Sequence, residues 1–378
     1  MFDHAARQRR LSERLREEGV DLLFLGLSSD LEYLSGVERG IPFFGQSSYP
    51  HGWVAGGFFR PDTDPVFVLP RMVVLFDLPV RPDGEIVVVD ETDDGDAVFE
   101  RVARGLGHGD GVVAVGDRVW AETALHLARI FGADRLRTGS ALLNRLRRVK
   151  SADELEAMGR ACLAVENAMA AVTPLVRPGV TMAELTEEVE AELRQAGSRT
   201  PSFATHIFTG TDPDSLDNHA STAREPLADG TAVLFDFGGV VDGYCSDFGR
   251  TIACGEPSAE VERAYAAMLA GQEAGRAAAR PGALAREVNA ACRAPIEEAG
   301  LGEHFRHRMG HAIGLDVHER PFISPEDETP LEAGMTFTDE PSIIVPGAFG
   351  VRIEDIVVCE EGGGRYLVEY PKQLVTNG

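Results

Sequence analysis

Lysine is nearly missing from this chain. Of its 36 basic residues only two, Lys150 and Lys372, are lysines, and the rest are arginines. The skew reads as the codon usage of a GC-rich genome rather than as a functional device. Basic charge of any kind is also short, with 36 Lys+Arg against 61 Asp+Glu and a formal charge of −25. Nucleic-acid and anionic-membrane partners both need a basic footprint, so this balance argues against them. Cysteine is sparse and scattered: Cys162, Cys245, Cys254, Cys292 and Cys359, with no CxxC pair. An odd, dispersed set is neither a disulfide framework nor a zinc knuckle, and it implies a reducing, cytoplasmic setting. No run approaches 18 apolar residues, which argues against a spanning helix. The opening MFDHAARQRRLSERLREEGVD carries bases without the apolar stretch of a secretory signal.

What is present is ordinary globular material: 378 residues, 44% hydrophobic and 26% charged. That is enough chain for two domains with proper cores. Residues 1–149 alternate helical and strand-like stretches, with helices expected over 5–18, 121–132 and 140–148. Short apolar runs at 21–27, 65–69, 86–89 and 112–115 read as strands of a mixed or parallel α/β sheet. GLGHGDG (105–111) reads as a loop, because Asp110 stands where a dinucleotide-binding motif needs its third glycine.

A boundary falls near 148–152, so that 150–378 forms a second domain. Ser151 with Glu154, and Thr181 with Glu184, are capping-box signatures ahead of helical patterns to about 173 and 195. Strands are expected at 204–209, 231–238 and 244–252. A helix from Ser258 to about 279 and another over 283–299 follow, then strands at 312–318, 335–345, 349–358 and 366–369. Two helices followed by strands ending in a hairpin thus occur twice. This is a weak repeat of about a hundred residues, and it predicts a pseudo-symmetric α+β domain with a cleft between its halves.

The hairpins carry the chemistry. In LFDFGGVVDGYCSDFGRT, Asp242-Gly243 marks a type I′ turn, whose two positions both need positive φ. Pairing 241 with 244 then puts 236 opposite 249 and 238 opposite 247. Asp236 and Asp247 share one face, within reach of a common ion, beside the small Gly238 and Gly249. In DEPSIIVPGAFGVRIED, a three-residue loop at 346–348 pairs 345 with 349 and brings Glu340 opposite Glu354, with Arg352 on the same face. Four converging carboxylates repel unless neutralised. HRMGHAIGLDVHE adds His307, His311 and His318 nearby. One imidazole and four carboxylates suit two hard-to-borderline divalent ions.

The order Asp236, Asp247, His311, Glu340, Glu354 resembles the metal set of the methionine aminopeptidase and Xaa-Pro peptidase superfamily, the pita-bread fold. DFG…GYCSDFGRT, HRMGHAIGLDVHE, GMTFTDEP…GVRIED and RRVKSADELEAM are similar to its proline-specific branch. DLEYLSG (30–36) and its surroundings resemble the creatinase-like domain that precedes the catalytic domain there. The resemblance implies an α/β creatinase-like domain (1–149), a pita-bread metallopeptidase domain (150–378) and two divalent ions, Mn2+ first, with Co2+, Fe2+ and Zn2+ as the other candidates. It implies that Asp236 binds one ion, that Asp247 and Glu354 bridge both, and that His311 and Glu340 complete the set. His219 would lie near the scissile amide, His318 would bond the reacting group, and His307 would line the proline side. Arg352 would orient neighbouring acids, and Glu340 would carry a proton to the leaving nitrogen. Arg308 resembles the carboxylate clamp of some prolidases. Two departures, Ala312 and Ser342 in place of the usual glycines, bear on the substrate pocket and remove no ligand.

The expected activity is hydrolysis of X–Pro bonds in short peptides by an Xaa-Pro dipeptidase (prolidase). An Xaa-Pro aminopeptidase, and a metal-dependent hydrolase or lyase of a non-peptide molecule, are the alternatives. The resemblance also implies a homodimer.

Overall fold

Both marked capping boxes form. Ser151 and Glu154 satisfy each other's backbone at the start of the helix Ala152–Val172, and Thr181 and Glu184 do so for Met182–Gln195. The computed structural model describes residues 2–40, 49–78, 80–107, 110–211, 222–367 and 369–377. The chain divides into two compact units, Met1–Arg147 and Arg148–Gly378.

The first unit holds a six-stranded mixed sheet. Its strands are β1 (Leu22–Gly26), β2 (Gly56–Phe59), β3 (Val66–Pro70), β4 (Glu85–Val89), β5 (Val113–Val115) and β6 (Leu136–Thr138), in the order β4-β3-β2-β1-β5-β6. β1 runs parallel to β5 and antiparallel to β2. Phe99 and Ala103 of the helix Gly95–Leu106, and Leu127 of Ala121–Phe131, join Leu22, Phe24, Phe58 and Val68 in one core. Each fully buried side chain of this kind is worth about 1.5–3 kcal/mol. The sequence patterns did not reveal β2, β6 or Gly95–Leu106. β2 is the short, glycine-rich GGFF, and its residues are all buried, so no alternation announces it.

The second unit repeats one plan twice. In the first half the helices Ala152–Val172 and Met182–Gln195 pack on β7 (His206–Phe208), β8 (Thr231–Phe237) and β11 (Phe248–Cys254), with the hairpin β9 (Val240–Val241) and β10 (Tyr244–Cys245) between the last two. In the second half the helices Ala259–Ala278 and Ala285–Glu298 pack on a sheet ordered β13-β12-β14-β17-β18. These strands are β12 (Gly310–Ala312), β13 (Glu319–Ile323), β14 (Thr336–Asp339), β17 (Asp355–Val358) and β18 (Arg365–Tyr366); the hairpin β15 (Ser342–Val345) and β16 (Phe349–Arg352) joins β14 to β17. β19 (Val375–Asn377) lies parallel to β11.

Strand alternation sorts the side chains. Val233, Phe235 and Phe237 of β8 enter the helix-side core, so Asp236 points to the opposite face. One expected strand is corrected: residues 313–318 are not a strand. The ladder of β12 stops at Ala312 with a register shift, and the chain turns where Gly314 N–H bonds Asp316 O (3.0 Å) and Asp316 N–H bonds the Glu319 carboxylate (3.2 Å). That carboxylate pairs with buried Lys150 at 3.2 Å. Among the described residues no helix is long and apolar enough to cross a membrane.

Candidate metal centre

The turn chemistry sets the first half of the site. Asp242 and Gly243 have φ of 51° and 80°, and Val241 pairs with Tyr244. The ladder then places Asp236 against Gly249 and Phe237 against Phe248. In the second half Val345 pairs with Phe349 and Ser342 with Arg352, while Asp339 pairs with Asp355 farther out. The register is therefore the same on both sides of Pro341, and Glu340 and Glu354 face each other. The halves meet where Gly249 and Glu354 exchange two backbone hydrogen bonds, of 3.3 and 2.9 Å. Gly249 must be small: a Cβ there would lie 2.9 Å from Arg352 Cδ and 3.0 Å from Glu354 Cβ.

This junction brings the acids together. Asp236, Asp247 and Glu354 each offer a carboxylate oxygen, all within 4.8 Å of one another. His311 Nε2 lies 3.5 Å from Asp247 Oδ2 and 3.5 Å from Glu340 Oε1. His311 Nδ1 faces the Ala312 carbonyl at 3.2 Å, and donating there leaves the Nε2 lone pair aimed at the carboxylates. Glu340 Oε1 accepts from the Thr338 hydroxyl at 3.2 Å. Arg352 Nη1 contacts the Asp236 carboxylate and lies 3.7 Å from Glu340 and 3.6 Å from Glu354.

The electrostatics call for positive charge. Burial pushes the Asp236 carboxyl up to about 7; Arg352 opposes this, and Asp247 and Glu340 add to it. Burial, then the charges of Asp247, Glu340 and Asp236, hold Glu354 well above the ordinary range. Burial raises Glu340 too, but in the metal-free protein the surrounding positive charges, led by protonated His311 and then Arg352, together lower it. Asp247 Oδ1 and both Glu354 oxygens are buried without a hydrogen-bond partner among the described residues. Buried carboxylate oxygens left unpaired are costly. A donor set of four carboxylates and one imidazole with orphaned oxygens fits divalent cations.

The flanking residues form walls. The His318 ring sits 4.1 Å from that of His311, and the residue is exposed. Burial, then the charge of Arg352, lowers His307 to about 4. Both its nitrogens are engaged, one by the Ser342 hydroxyl and one by Arg308 O at 2.6 Å. Ser342 thus anchors His307. Arg308 stacks over Phe322 at 4.8 Å, and Phe322 is the cross-strand partner of His311. Its Nε is buried without a hydrogen-bond partner among the described residues. A cavity of about 620 Å3 opens here, lined by Phe305, His307, Arg308 and Phe322. His219 lies outside the described residues.

The sequence reading missed Asp339 and Asp355. Both are buried on the helix side of the same strands, back to back with Glu340 and Glu354. The adjacent acids DE (339–340) and ED (354–355) carried the signal, since neighbours on a strand point to opposite faces.

The description "Metallopeptidase family M24" matches residues 156–361 of the chain. The chain belongs to metallopeptidase family M24. Among solved structures, a prolidase from Thermococcus sibiricus superposes with a TM-score of 0.87 at 27% identity, over 100% of both chains. Dipeptidase PepE from Mycobacterium ulcerans gives 0.84 at 33% identity over 99% of both. An X-Pro aminopeptidase from Thermotoga maritima gives 0.83 at 26% identity, covering 98% of this chain and 99% of that one. This M24 chain therefore shares the pita-bread catalytic fold and its preceding domain with prolidases.

Proposed function

We propose that this M24 chain is an Xaa-Pro dipeptidase that uses two divalent ions, Mn2+ first, held by Asp236, Asp247, His311, Glu340 and Glu354. The single observation that carries the reading is the junction of the two hairpins, where three buried acids (Asp247, Glu340 and Glu354), the half-buried Asp236 and one imidazole converge around orphaned carboxylate oxygens. When bound, the ions supply Lewis acidity and make water acidic enough to attack near neutral pH. Glu340, anchored by Thr338, is the proton carrier between the attacking water and the leaving proline nitrogen. His318 donates a hydrogen bond to the oxygen on which negative charge develops, a role shared with His219. Arg352 holds Asp236 in line. His307 is neutral at pH 7 with both nitrogens occupied, and it offers the proline ring an unreactive wall.

Arg308 decides between dipeptidase and aminopeptidase in this reading. A dipeptide carries a free carboxylate one residue past the cut, and a guanidinium is a fitting clamp for it. Stacking on Phe322 beside His311 supports that position. The test compares X-Pro with X-Pro-Y peptides under Mn2+. Faster cleavage of the dipeptide is expected. Faster cleavage of the tripeptide would make the chain an aminopeptidase, and two bound ions with neither peptide cut would point to a non-peptide substrate. The setting is read as cytoplasmic from the five free, buried thiols. The assembly is read as a homodimer, which light scattering tests.

A further inference from the structure

The cleft-side acids are used by the proposed reaction; the helix-side pair behind them is not. Asp355 is buried and accepts from three side chains. One oxygen takes Arg250 Nη2 at 2.7 Å, and the other takes Lys372 Nζ at 2.7 Å and Gln272 Nε2 at 2.9 Å. Lys372 Nζ also bonds Gln272 Oε1 at 2.7 Å, and Gln272 Nε2 reaches the Asp339 carbonyl at 3.2 Å. Arg250 is 2% exposed. Its Nη1 donates to Gly249 O at 2.7 Å and to Glu354 O at 2.8 Å. Those carbonyls are the acceptors of the two-bond bridge that joins the hairpins. Its Nε bonds Pro371 O at 3.0 Å. One guanidinium therefore grips both hairpins and the segment around Pro371 together.

We propose that Arg250, Asp355, Gln272 and Lys372 form a strap that sets the spacing of the two hairpins and thereby the affinity of the centre for divalent ions. The inference rests on the reading of the five cleft residues as metal ligands. Its physical basis is repulsion: like charges within 4.8 Å push their strands apart, Arg352 offsets part of that repulsion, and backbone anchoring holds the strands at coordinating distance. The anchors lie at Gly249, the register partner of Asp236, and at Glu354 itself. Arg250, Asp355, Gln272 and Lys372 are positioning residues, since they act through these backbone groups.

The test is calorimetric titration of Mn2+ into the full chain and its variants, with circular dichroism as the check on folding. Arg250→Lys keeps the charge and loses the fork; Lys372→Met removes one partner at a partly exposed site and serves if the first variant does not fold. Weakening of Mn2+ binding by about 10–100-fold is expected, with KM for X-Pro unchanged and turnover restored by excess Mn2+. That rescue separates positioning from mere loss of stability. Unchanged Mn2+ affinity in a folded variant would overturn the strap. Failure of the wild-type chain to bind Mn2+, or undiminished binding in Asp247→Asn, would instead overturn the metal reading.

Discussion

At the residue scale, the acids divide by what each carboxylate oxygen touches. Asp247 keeps one oxygen, and Glu354 both, without a hydrogen-bond partner among the described residues. Asp247→Asn and Glu354→Gln should therefore cut X-Pro turnover to background and lower bound metal, read by mass spectrometry of the desalted protein. Near-wild-type turnover with metal bound would contradict their assignment. Arg308→Ala should raise KM for dipeptides while leaving kcat nearly unchanged, because binding and not chemistry is lost. His307 supplies a pH test. Its folded value of about 4 lies below the ordinary 6.5, so between those values the unfolded chain binds the extra proton. Its contribution is complete above pH 6.5 and is lost as pH falls toward 4. In urea unfolding of the metal-free protein, the stability advantage of wild type over His307→Gln should shrink from pH 7.5 to pH 5.

At the element scale, turn chemistry made the site legible. Asp242-Gly243 and the 346–348 loop each fix a register, and a fixed register decides which acids share a face. Three things stayed hidden. Asp339 and Asp355 look like extra surface acids until alternation is followed to the buried side. The 313–318 turn depends on a distant partner, the Lys150–Glu319 pair, which no local pattern reveals. The strap depends on residue pairs such as Arg250–Lys372, more than a hundred positions apart, which meet through Asp355. Lys150→Met should leave the buried Glu319 carboxylate without its lysine counter-ion, at a cost of about 3–5 kcal/mol measured by chemical denaturation. Gly249→Ala should cost about 1–3 kcal/mol and weaken Mn2+ binding, because its Cβ would press on Arg352 and Glu354.

At the scale of the whole molecule, the α/β and α+β organisation was legible because capping boxes and apolar periodicity are local signals. The excess of negative charge was not informative, since the acids that matter are the few on matching strands. Ion binding should raise the melting temperature, because ligation to the folded state alone adds about 2.7 kcal/mol at a free ion concentration of 100 times Kd. A melting temperature unchanged by chelation would count against a buried centre. Both lysines are held in ion pairs, with side chains 1% and 23% exposed for Lys150 and Lys372. A lysine-specific endoprotease thus has two cleavage points in 378 residues, and the first is shut inside the folded catalytic unit. Cleavage at Lys150 would report opening of that unit with almost no background, an intrinsic clock for unfolding that an ordinary lysine-rich surface would drown.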